Sequence, residues 1–298
     1  MLTIANQYYT LSVDPDHGAK ISSLKFRPKD LELLVTSPQI SRSLMKDKWP
    51  MDFTLADSYG FDEMFPTIDI DDCTVLPWGP VRFPDHGDVW SLPWVCSQSD
   101  DMIYSEVIGT SFPYKLQRTV TCKNSGIRLD YVLTNLCATS VSVIWAAHML
   151  FVLCEGTHIE LPDELSSFIN AYDGGIFGDY GKLIRKQDSL FGRHEKFDMH
   201  SGLCGKWYTA QKLRQGWVKV VHPKEKVSTI ISFSPQEVPY LGVWINEGGW
   251  NDQHALGIEP AKAAMDSPSK ARQFGMEHIL KGYSTETWSL SISSSCIA

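Results

Sequence analysis

Three segments carry side chains that could perform acid–base chemistry. Pro84-Asp85-His86-Gly87 places an imidazole beside a glycine, whose missing side chain leaves room for a ligand. His148 lies in the middle of the most apolar run of the chain, residues 141–154. Gly257-Ile258-Glu259-Pro260 places a carboxylate after an apolar lead-in, where Pro260 is expected to end a strand. Two histidines and a carboxylate, distant in sequence, could together form an acid–base site.

Each of these residues also has a purely structural interpretation. A histidine on an apolar strand is often a core residue whose ring nitrogens are hydrogen-bonded, and a glutamate at a strand end can be a cap. His86, His148 and Glu259 could instead bind zinc, although no local His-xxx-His spacing supports a metal site. A glycoside hydrolase would need a second carboxylate beside Glu259, which Asp62 or Asp85 could supply.

Tryptophans near two of the segments indicate carbohydrate binding. Trp90 follows His86 closely, and Trp244 lies in the Gly- and Trp-rich stretch 241–250. Indole faces pack against the apolar faces of sugar rings, so a non-catalytic sugar-binding or sugar-sensing protein would use them equally well. The sequence contains no GxSxG nucleophile motif, no P-loop and no Rossmann glycine fingerprint.

Short β-like runs separated by turn residues must position these side chains. Alternating polar and apolar residues and the turn Lys123-Asn124-Ser125-Gly126 are typical of antiparallel strands. Two short helices are predicted, at 40–48 and 267–274, and the Gly- and Asp-rich region 163–200 interrupts the strand pattern as a long excursion. The pattern predicts an all-β protein, a large antiparallel β-sandwich forming a single domain over residues 1–298. The predicted strands are 8–13, 21–26, 31–35, 103–108, 115–121, 127–133, 141–147, 217–221, 227–233, 241–245 and 287–292.

Composition narrows the possible partners and location. The chain has 27 Lys and Arg against 35 Asp and Glu, a net charge of −8, and no basic block, so a nucleic-acid partner is not expected. The N-terminus lacks the pattern of a signal peptide, and residues 141–154 are too short and too polar to cross a membrane. We therefore expect a cytoplasmic protein. Its seven cysteines include no CxxC pair and are expected to be reduced thiols.

Considered together, the segments resemble the aldose 1-epimerase (galactose mutarotase) family. The resemblance depends on Pro84-Asp85-His86-Gly87, on the apolar strand with His148 and Phe151, and on Gly257-Ile258-Glu259-Pro260, in that order along the chain. Phe61-Asp62-Glu63-Met64-Phe65-Pro66, the stretch 241–250 and His17-Gly18-Ala19 also fit, so the resemblance spans most of the chain.

The resemblance implies a galactose mutarotase-like supersandwich and an isomerase activity. Such an enzyme interconverts the α and β anomers of an aldohexose or a derivative, without cofactor or metal, as a monomer or homodimer. Glu259 would be the catalytic base, His148 the acid, and His86 a further catalytic-site histidine that holds the sugar. His148 must then carry a proton near pH 7, and a neighbouring carboxylate is expected to raise its pKa.

The chain departs from the family pattern in its sugar-binding residues. The arginine and additional aspartate of better-known galactose mutarotases have no clear counterpart, although Asp198 lies at a plausible distance before Glu259. Asp62, Glu63, Trp90 and Trp244 are therefore the candidates for binding the sugar. Arg82 and Lys262 are the candidate cations for a phosphorylated sugar.

Overall fold

The computed structural model describes residues 1–36, 53 and 58–298, apart from the side chain of Cys73. In this part of the chain, two large β-sheets and two small two-stranded sheets account for nearly all regular structure. Strands that are neighbours in a sheet run antiparallel. The predicted all-β, antiparallel class is therefore confirmed.

Eleven of the described strands form the larger sheet. Its order is β1-β2-β3-β5-β13-β21-β20-β17-β15-β16, and β4 pairs with β3 beside this path. Numbered along the chain, its strands are β1 (Leu2–Ala5), β2 (Tyr9–Asp14), β3 (Lys20–Phe26), β4 (Leu31–Glu32), β5 (Phe61–Met64), β13 (Ala146–Val152), β15 (Ser167–Asn170), β16 (Leu183–Arg185), β17 (Cys204–Thr209), β20 (Tyr240–Glu247) and β21 (His254–Ala261).

Eight described strands form the smaller sheet, in the order β14-β18-β19-β23-β11-β10-β9-β8. They are β8 (Val95–Ser99), β9 (Met102–Ile108), β10 (Tyr114–Lys123), β11 (Gly126–Asn135), β14 (His158–Glu160), β18 (Trp217–His222), β19 (Val227–Phe233) and β23 (Thr285–Cys296). The two small sheets pair β6 (Asp71–Leu76) with β7 (Gly79–Phe83) and β12 (Val141–Val143) with β22 (His278–Leu280).

The hydrophobic core takes side chains from both large sheets. Burial alternates along β10 and β11, as expected for strands with one face on the core and the other toward solvent. β13 and β21, in the middle of the larger sheet, are buried along almost their whole length. A polar side chain on these two strands is therefore removed from water on either face.

The predicted strands correspond to observed ones, with two informative differences. The predicted strand 141–147 is split into β12 and β13, which lie in different sheets, so His148 belongs to a separate strand of the larger sheet. The expectation that Pro260 ends its strand was wrong, because β21 continues to Ala261. Pro260 pairs with Leu241 in β20, while the ladder toward β13 is formed on either side of it.

Helices are few and short among the described residues. The predicted helix at 267–274 is confirmed as Pro268–Gln273, and the Ser267 side chain caps it by accepting a hydrogen bond from the Lys270 N–H. The two 3₁₀ helices are Arg27–Lys29 and Phe191–His194. The predicted helix at 40–48 lies outside the described residues. The excursion 163–200 contains β15 and β16, so part of it belongs to the larger sheet.

Candidate active site

A row of polar residues crosses the larger sheet on one face. Asp62 pairs with His148, Gly242 pairs with Glu259, and Tyr208 pairs with Gly242. His148 and Glu259 lie between the paired positions Met149–Ile258 and Ala146–Ala261, which places them opposite each other. Because directly opposed residues in a sheet project to the same side, five adjacent strands present this row together.

Glu259 and His148 form the centre of the row. Their closest atoms, Glu259 Oε1 and His148 Nε2, are 3.9 Å apart. The glutamate is fully buried and the histidine 5% exposed. Among the described residues, neither oxygen of Glu259 nor His148 Nδ1 accepts or donates a hydrogen bond of regular geometry, although Oε2 forms an ion pair with Lys206. A buried polar atom without a partner costs free energy, and such atoms often mark functional sites.

Lys206 contacts the other oxygen of the glutamate. Its Nζ lies 2.8 Å from Glu259 Oε2 and 2.8 Å from Asp266 Oδ1. The Tyr208 hydroxyl donates to the same Asp266 oxygen at 2.5 Å. Gly242 makes this arrangement possible, because a Cβ there would lie 2.6 Å from the Tyr208 ring. Lys206 and Tyr208 are two residues apart on β17, so both point to the site face.

A second ion pair closes the opposite end of the row. Lys20 Nζ lies 2.8 Å from Asp62 Oδ2, and both side chains are 1% exposed. Lys20 also donates to the Tyr59 carbonyl at 3.0 Å and lies over the Tyr59 ring. Asp62 is therefore held beside His148 on the neighbouring strand.

His86 reaches the same site from the connection between β7 and β8. Its ring centroid is 5.4 Å from that of His148, and its Nδ1 lies 2.9 Å from Asp85 Oδ1. His86 has a positive φ of 59°, and Gly87 follows at 74°. A Cβ on Gly87 would lie 1.9 Å from the Phe65 carbonyl oxygen, so only glycine permits this close approach to β5.

Asp88 fastens the segment that carries His86. Its carboxylate accepts from the backbone N–H groups of Thr110 and Ser111 at 2.7 and 2.8 Å and from the Thr110 hydroxyl at 2.8 Å. The Tyr114 hydroxyl is a further donor. These bonds connect the segment to the β9–β10 region, which gives an irregular stretch of chain a fixed position.

Aromatic rings surround the two imidazoles. Phe53 stacks on His86 with ring centroids 3.6 Å apart and meets His148 at 5.6 Å. Trp90 lies edge-on to Phe53, and its indole N–H donates to the Asp85 carbonyl. Phe53 therefore covers one face of the His86 ring.

Trp244 lies on the site face farther along the sheet. It pairs with Lys206 on one side and with Gly257 on the other, and its ring meets Tyr172 edge-on. A Cβ on Gly257 would lie 3.4 Å from Glu259 Oε1. The same Cβ would lie 2.9 Å from Trp244 Cβ and 3.4 Å from Leu150 Cδ2, so this position beside the carboxylate has room for glycine only.

Glu63 is not part of this cluster. It follows Asp62 on β5 and therefore points to the other face, into the core. Its oxygens accept from Arg118 at 3.0 Å, from the Tyr131 hydroxyl at 2.9 Å and from the Trp145 indole at 3.0 Å. The structure assigns Glu63 to the connection between the sheets rather than to a sugar site.

Three other sequence candidates also lie elsewhere. The Arg82 side chain is largely exposed and is 3.5 Å from Asp72. Lys262 pairs with Glu286 at 3.0 Å and lies over the Trp288 ring in the core. Exposed Asp198 contacts Glu247 through its backbone N–H. None of these three is among the contacts described above for Glu259 and His148.

Burial sets the protonation of the central pair. It raises the pKa of Glu259, and Asp266 adds to this, while Lys206 opposes it. Burial also lowers the pKa of His148 well below its usual value, and electrostatic interactions with His86 and Lys206 act in the same direction. The expectation that a neighbouring carboxylate raises the pKa of His148 was therefore wrong, since the loss of hydration and the neighbouring lysines Lys206 and Lys20 lower it.

Sequence reasoning missed Lys206, Asp266, Lys20 and Phe53. A lysine inside the buried strand Cys204–Thr209 was the available signal, because a lysine is almost never fully buried without a paired acid. In the described part of the chain, no group of three or more His, Cys, Asp or Glu side chains is arranged to hold a metal ion. Within the same residues, no helix is long and apolar enough to span a membrane.

Comparison with solved structures identifies the fold. The chain aligns with a protein from Synechocystis sp. PCC 6803 at a TM-score of 0.77 and 14% identity, covering 99% of this chain and 95% of that one. A galactose mutarotase-like protein from Clostridium acetobutylicum gives 0.74 at 16% identity, covering 99% and 95%. One from Lactobacillus casei ATCC 334 gives 0.72 at 15% identity, covering 99% and 100%.

These likenesses establish a galactose mutarotase-like fold and confirm that prediction. The alignment covers 99% of this chain in each case. No protein-family model matches the sequence, and no curated protein matches it.

Proposed function

We propose that the protein is an aldose 1-epimerase, with Glu259 as base and His148 as acid. One observation carries this proposal: Glu259 Oε1, which accepts no hydrogen bond from the described residues, faces His148 Nε2 across 3.9 Å. This separation allows two atoms of one sugar, the anomeric hydroxyl and the ring oxygen, to meet a base and an acid together. Solved structures of galactose mutarotase-like proteins with the same fold support the substrate class.

The reaction needs one proton removed and one proton supplied. Glu259 Oε1 takes the proton of the anomeric hydroxyl, C1 becomes a carbonyl carbon as the bond from C1 to the ring oxygen breaks, and His148 Nε2 protonates that oxygen. The open aldehyde turns about the C1–C2 bond. Reclosure reverses both proton transfers and returns Glu259 to its carboxylate form. Burial raises the pKa of Glu259, which makes its carboxylate a stronger base, and lowers the pKa of His148, so the protonated histidine that the scheme requires is populated at acid pH.

The surrounding residues supply binding functions in this proposal. His86, oriented by Asp85, contacts a sugar hydroxyl beside His148. Asp62 accepts a hydrogen bond from a second hydroxyl next to His148. Trp90 and Trp244 offer apolar faces at the two sides of the site.

Anomer exchange measured by NMR tests the proposal. Purified protein is added to equilibrated glucose, galactose and several sugar phosphates at a series of pH values, and magnetisation exchange between the α and β signals is followed. Glu259→Gln is expected to lose about 10²–10⁴-fold in rate, because a positioned base contributes that much. Glu247→Gln is the matched control, since Glu247 is also buried in the larger sheet but pairs with Arg193.

Two results would contradict the proposal that the protein is an epimerase. Exchange that survives in a folded Glu259→Gln variant would remove the proposed base. Sugar-dependent shifts of protein signals without any anomer exchange would instead identify a sugar-binding protein.

A further inference from the structure

We propose that Lys206 is the positioning residue of Glu259: its ammonium group holds Oε2 and leaves Oε1 as the oxygen that meets the substrate. This inference rests on the proposed function of Glu259 as the base. Lys206 does not take the sugar's protons in this scheme. It determines which oxygen is available and in which protonation state.

The contacts of Lys206 support this positioning role. Nζ lies 2.8 Å from both Glu259 Oε2 and Asp266 Oδ1, so one buried cation bridges two buried carboxylates. Asp266 is held in turn by the Tyr208 hydroxyl at 2.5 Å. Lys206 is 7% exposed, and a charge at this depth keeps its position because solvent does not compete for it.

The second oxygen of Glu259 has a different environment. Oε1 faces His148 Nε2 at 3.9 Å and lies close to the backbone of Gly257, where a Cβ would be 3.4 Å away. An ionised carboxylate can accept about four hydrogen bonds, so Oε1 retains its acceptor capacity. The two oxygens are thus distinguished by the lysine, which fixes the rotation of the carboxylate before the sugar binds.

Charge balance makes the lysine necessary for a buried base. Burial opposes the charged form of Lys206, but Asp266 and Glu259 together raise its pKa above the usual value, so it remains an ammonium ion. That positive charge opposes the rise that burial imposes on the pKa of Glu259. Asp266 acts on Glu259 in the opposite direction, as a second negative charge.

Charged and titratable groups approach Glu259 from several elements. They are Lys206 and Tyr208 on β17, Asp266 after β21, His148 on β13 and His86 before β8, with the Asp62–Lys20 pair beyond His148. Removing Lys206 or Asp266 therefore changes the charge next to Glu259 by one unit in opposite directions.

Two substitutions test the position of Lys206 between Glu259 and Asp266 through the titration of Glu259. With ¹³C-labelled glutamate, the Glu259 carboxyl signal is assigned from its loss in Glu259→Gln and followed from pH 3 to 9. Lys206→Met is expected to raise the midpoint by about 1–3 pH units, because an adjacent opposite charge shifts a carboxyl pKa by that amount. Asp266→Asn keeps the acceptor for Tyr208 and is expected to lower the midpoint.

A matched control separates this effect from the loss of any buried ion pair. Lys262→Met removes an equally buried lysine, paired with Glu286 at 3.0 Å, and is expected to leave the Glu259 midpoint unchanged. The rise of kcat/KM with pH should move as the NMR midpoint does. A structural role alone would lower kcat at every pH without moving it.

The outcomes distinguish this inference from the epimerase proposal. Midpoints that stay within about 0.3 pH units of wild type in both folded variants, or that move in the same direction, would overturn the role of Lys206. If Lys206→Met does not fold, Lys206→Gln, which keeps a polar group but removes the charge, decides by the same raised midpoint. Shifted midpoints in a protein without anomer exchange would support the effect of Lys206 on Glu259 and would refute the epimerase proposal.

Discussion

Two buried glutamates of the larger sheet show how contacts decide a residue's role. Glu63 and Glu259 are both 0% exposed. Three donors from the core occupy the oxygens of Glu63, which leaves this carboxylate as a structural group. Glu259 has Lys206 on one oxygen, and the other accepts no hydrogen bond from the described residues and faces His148. Burial alone would not have separated them.

The protonation of Glu259 and His148 predicts an unusual pH dependence. Glu259 must be ionised, so kcat/KM rises as pH increases through a pKa that burial has raised. His148 must be protonated, so kcat/KM falls as pH increases through a pKa that burial has lowered. We expect a narrow bell with its maximum on the acid side of neutral pH.

Anomer-exchange rates at low sugar concentration, measured between pH 4 and 9, check this prediction. The exchange in buffer alone is subtracted at each pH. A profile that is flat from pH 5 to 9, or one centred well above pH 7, would contradict the assignment of these two residues.

At the scale of elements, strand register decides which residues meet. His148 on β13 and Glu259 on β21 are more than a hundred residues apart in sequence, and adjacent strands bring them within 3.9 Å. A shift of one residue in either strand would turn its side chain to the core face. The site therefore depends on the register between β13 and β21, the two almost completely buried strands at the middle of the larger sheet.

Gly257, two residues before Glu259 on β21, allows a test of this packing. In Gly257→Ala, the new methyl group would lie 2.9 Å from Trp244 Cβ and 3.4 Å from Glu259 Oε1. We expect kcat/KM to fall by about 10–100-fold, because a small displacement of a reacting group has a large effect on rate. Overpacking should also destabilise the fold by about 1–3 kcal/mol.

Gly192→Ala is the control, since a Cβ at Gly192 would meet nothing within 4 Å. Anomer exchange and thermal unfolding are measured for both variants. Wild-type kcat/KM in Gly257→Ala would show that the close packing around Oε1 does not matter for the reaction.

Across the whole molecule, a buried polar network joins the two large sheets. Glu63 on β5 pairs with Arg118 on β10 at 3.0 Å, and both side chains are 0% exposed. Arg118 also donates to the Ala19 carbonyl, and Tyr131 on β11 donates to Glu63. The network lies in the interior on the face opposite the candidate site.

This network predicts a strong coupling in stability. Glu63→Ala is expected to lower the free energy of unfolding by about 3–5 kcal/mol, because it leaves the Arg118 guanidinium buried without its carboxylate. The double variant Glu63→Ala/Arg118→Met should lose less than the sum of the single variants, because it leaves no unpaired charge. Urea unfolding of the four proteins measures the difference.

Glu155→Ala is a suitable comparison, since Glu155 pairs with Lys224 on the exposed surface and its loss is expected to have no measurable effect. Additive losses in the double-mutant cycle would show that the sheets are not coupled through this pair.

The single domain, the cytoplasmic location and the oligomeric state predicted from the sequence stay predictions.

The sequence by itself determined the fold class and most strands. Alternating polarity and turn residues are local signals, and they were sufficient for hairpins such as β10–β11, whose strands meet at Lys123 and Gly126. The segments around His86, His148 and Glu259 could also be singled out, because a histidine or carboxylate within an apolar or glycine-rich context is conspicuous.

Only the tertiary structure decided how these residues are combined. It placed Asp62 beside His148, turned Glu63 into the core and brought Lys206 and Asp266 to Glu259. It also reversed the expected direction of the His148 pKa. The physical reason is that strand pairing, burial and electrostatic interaction depend on distances between elements far apart in sequence, and local patterns do not contain those distances.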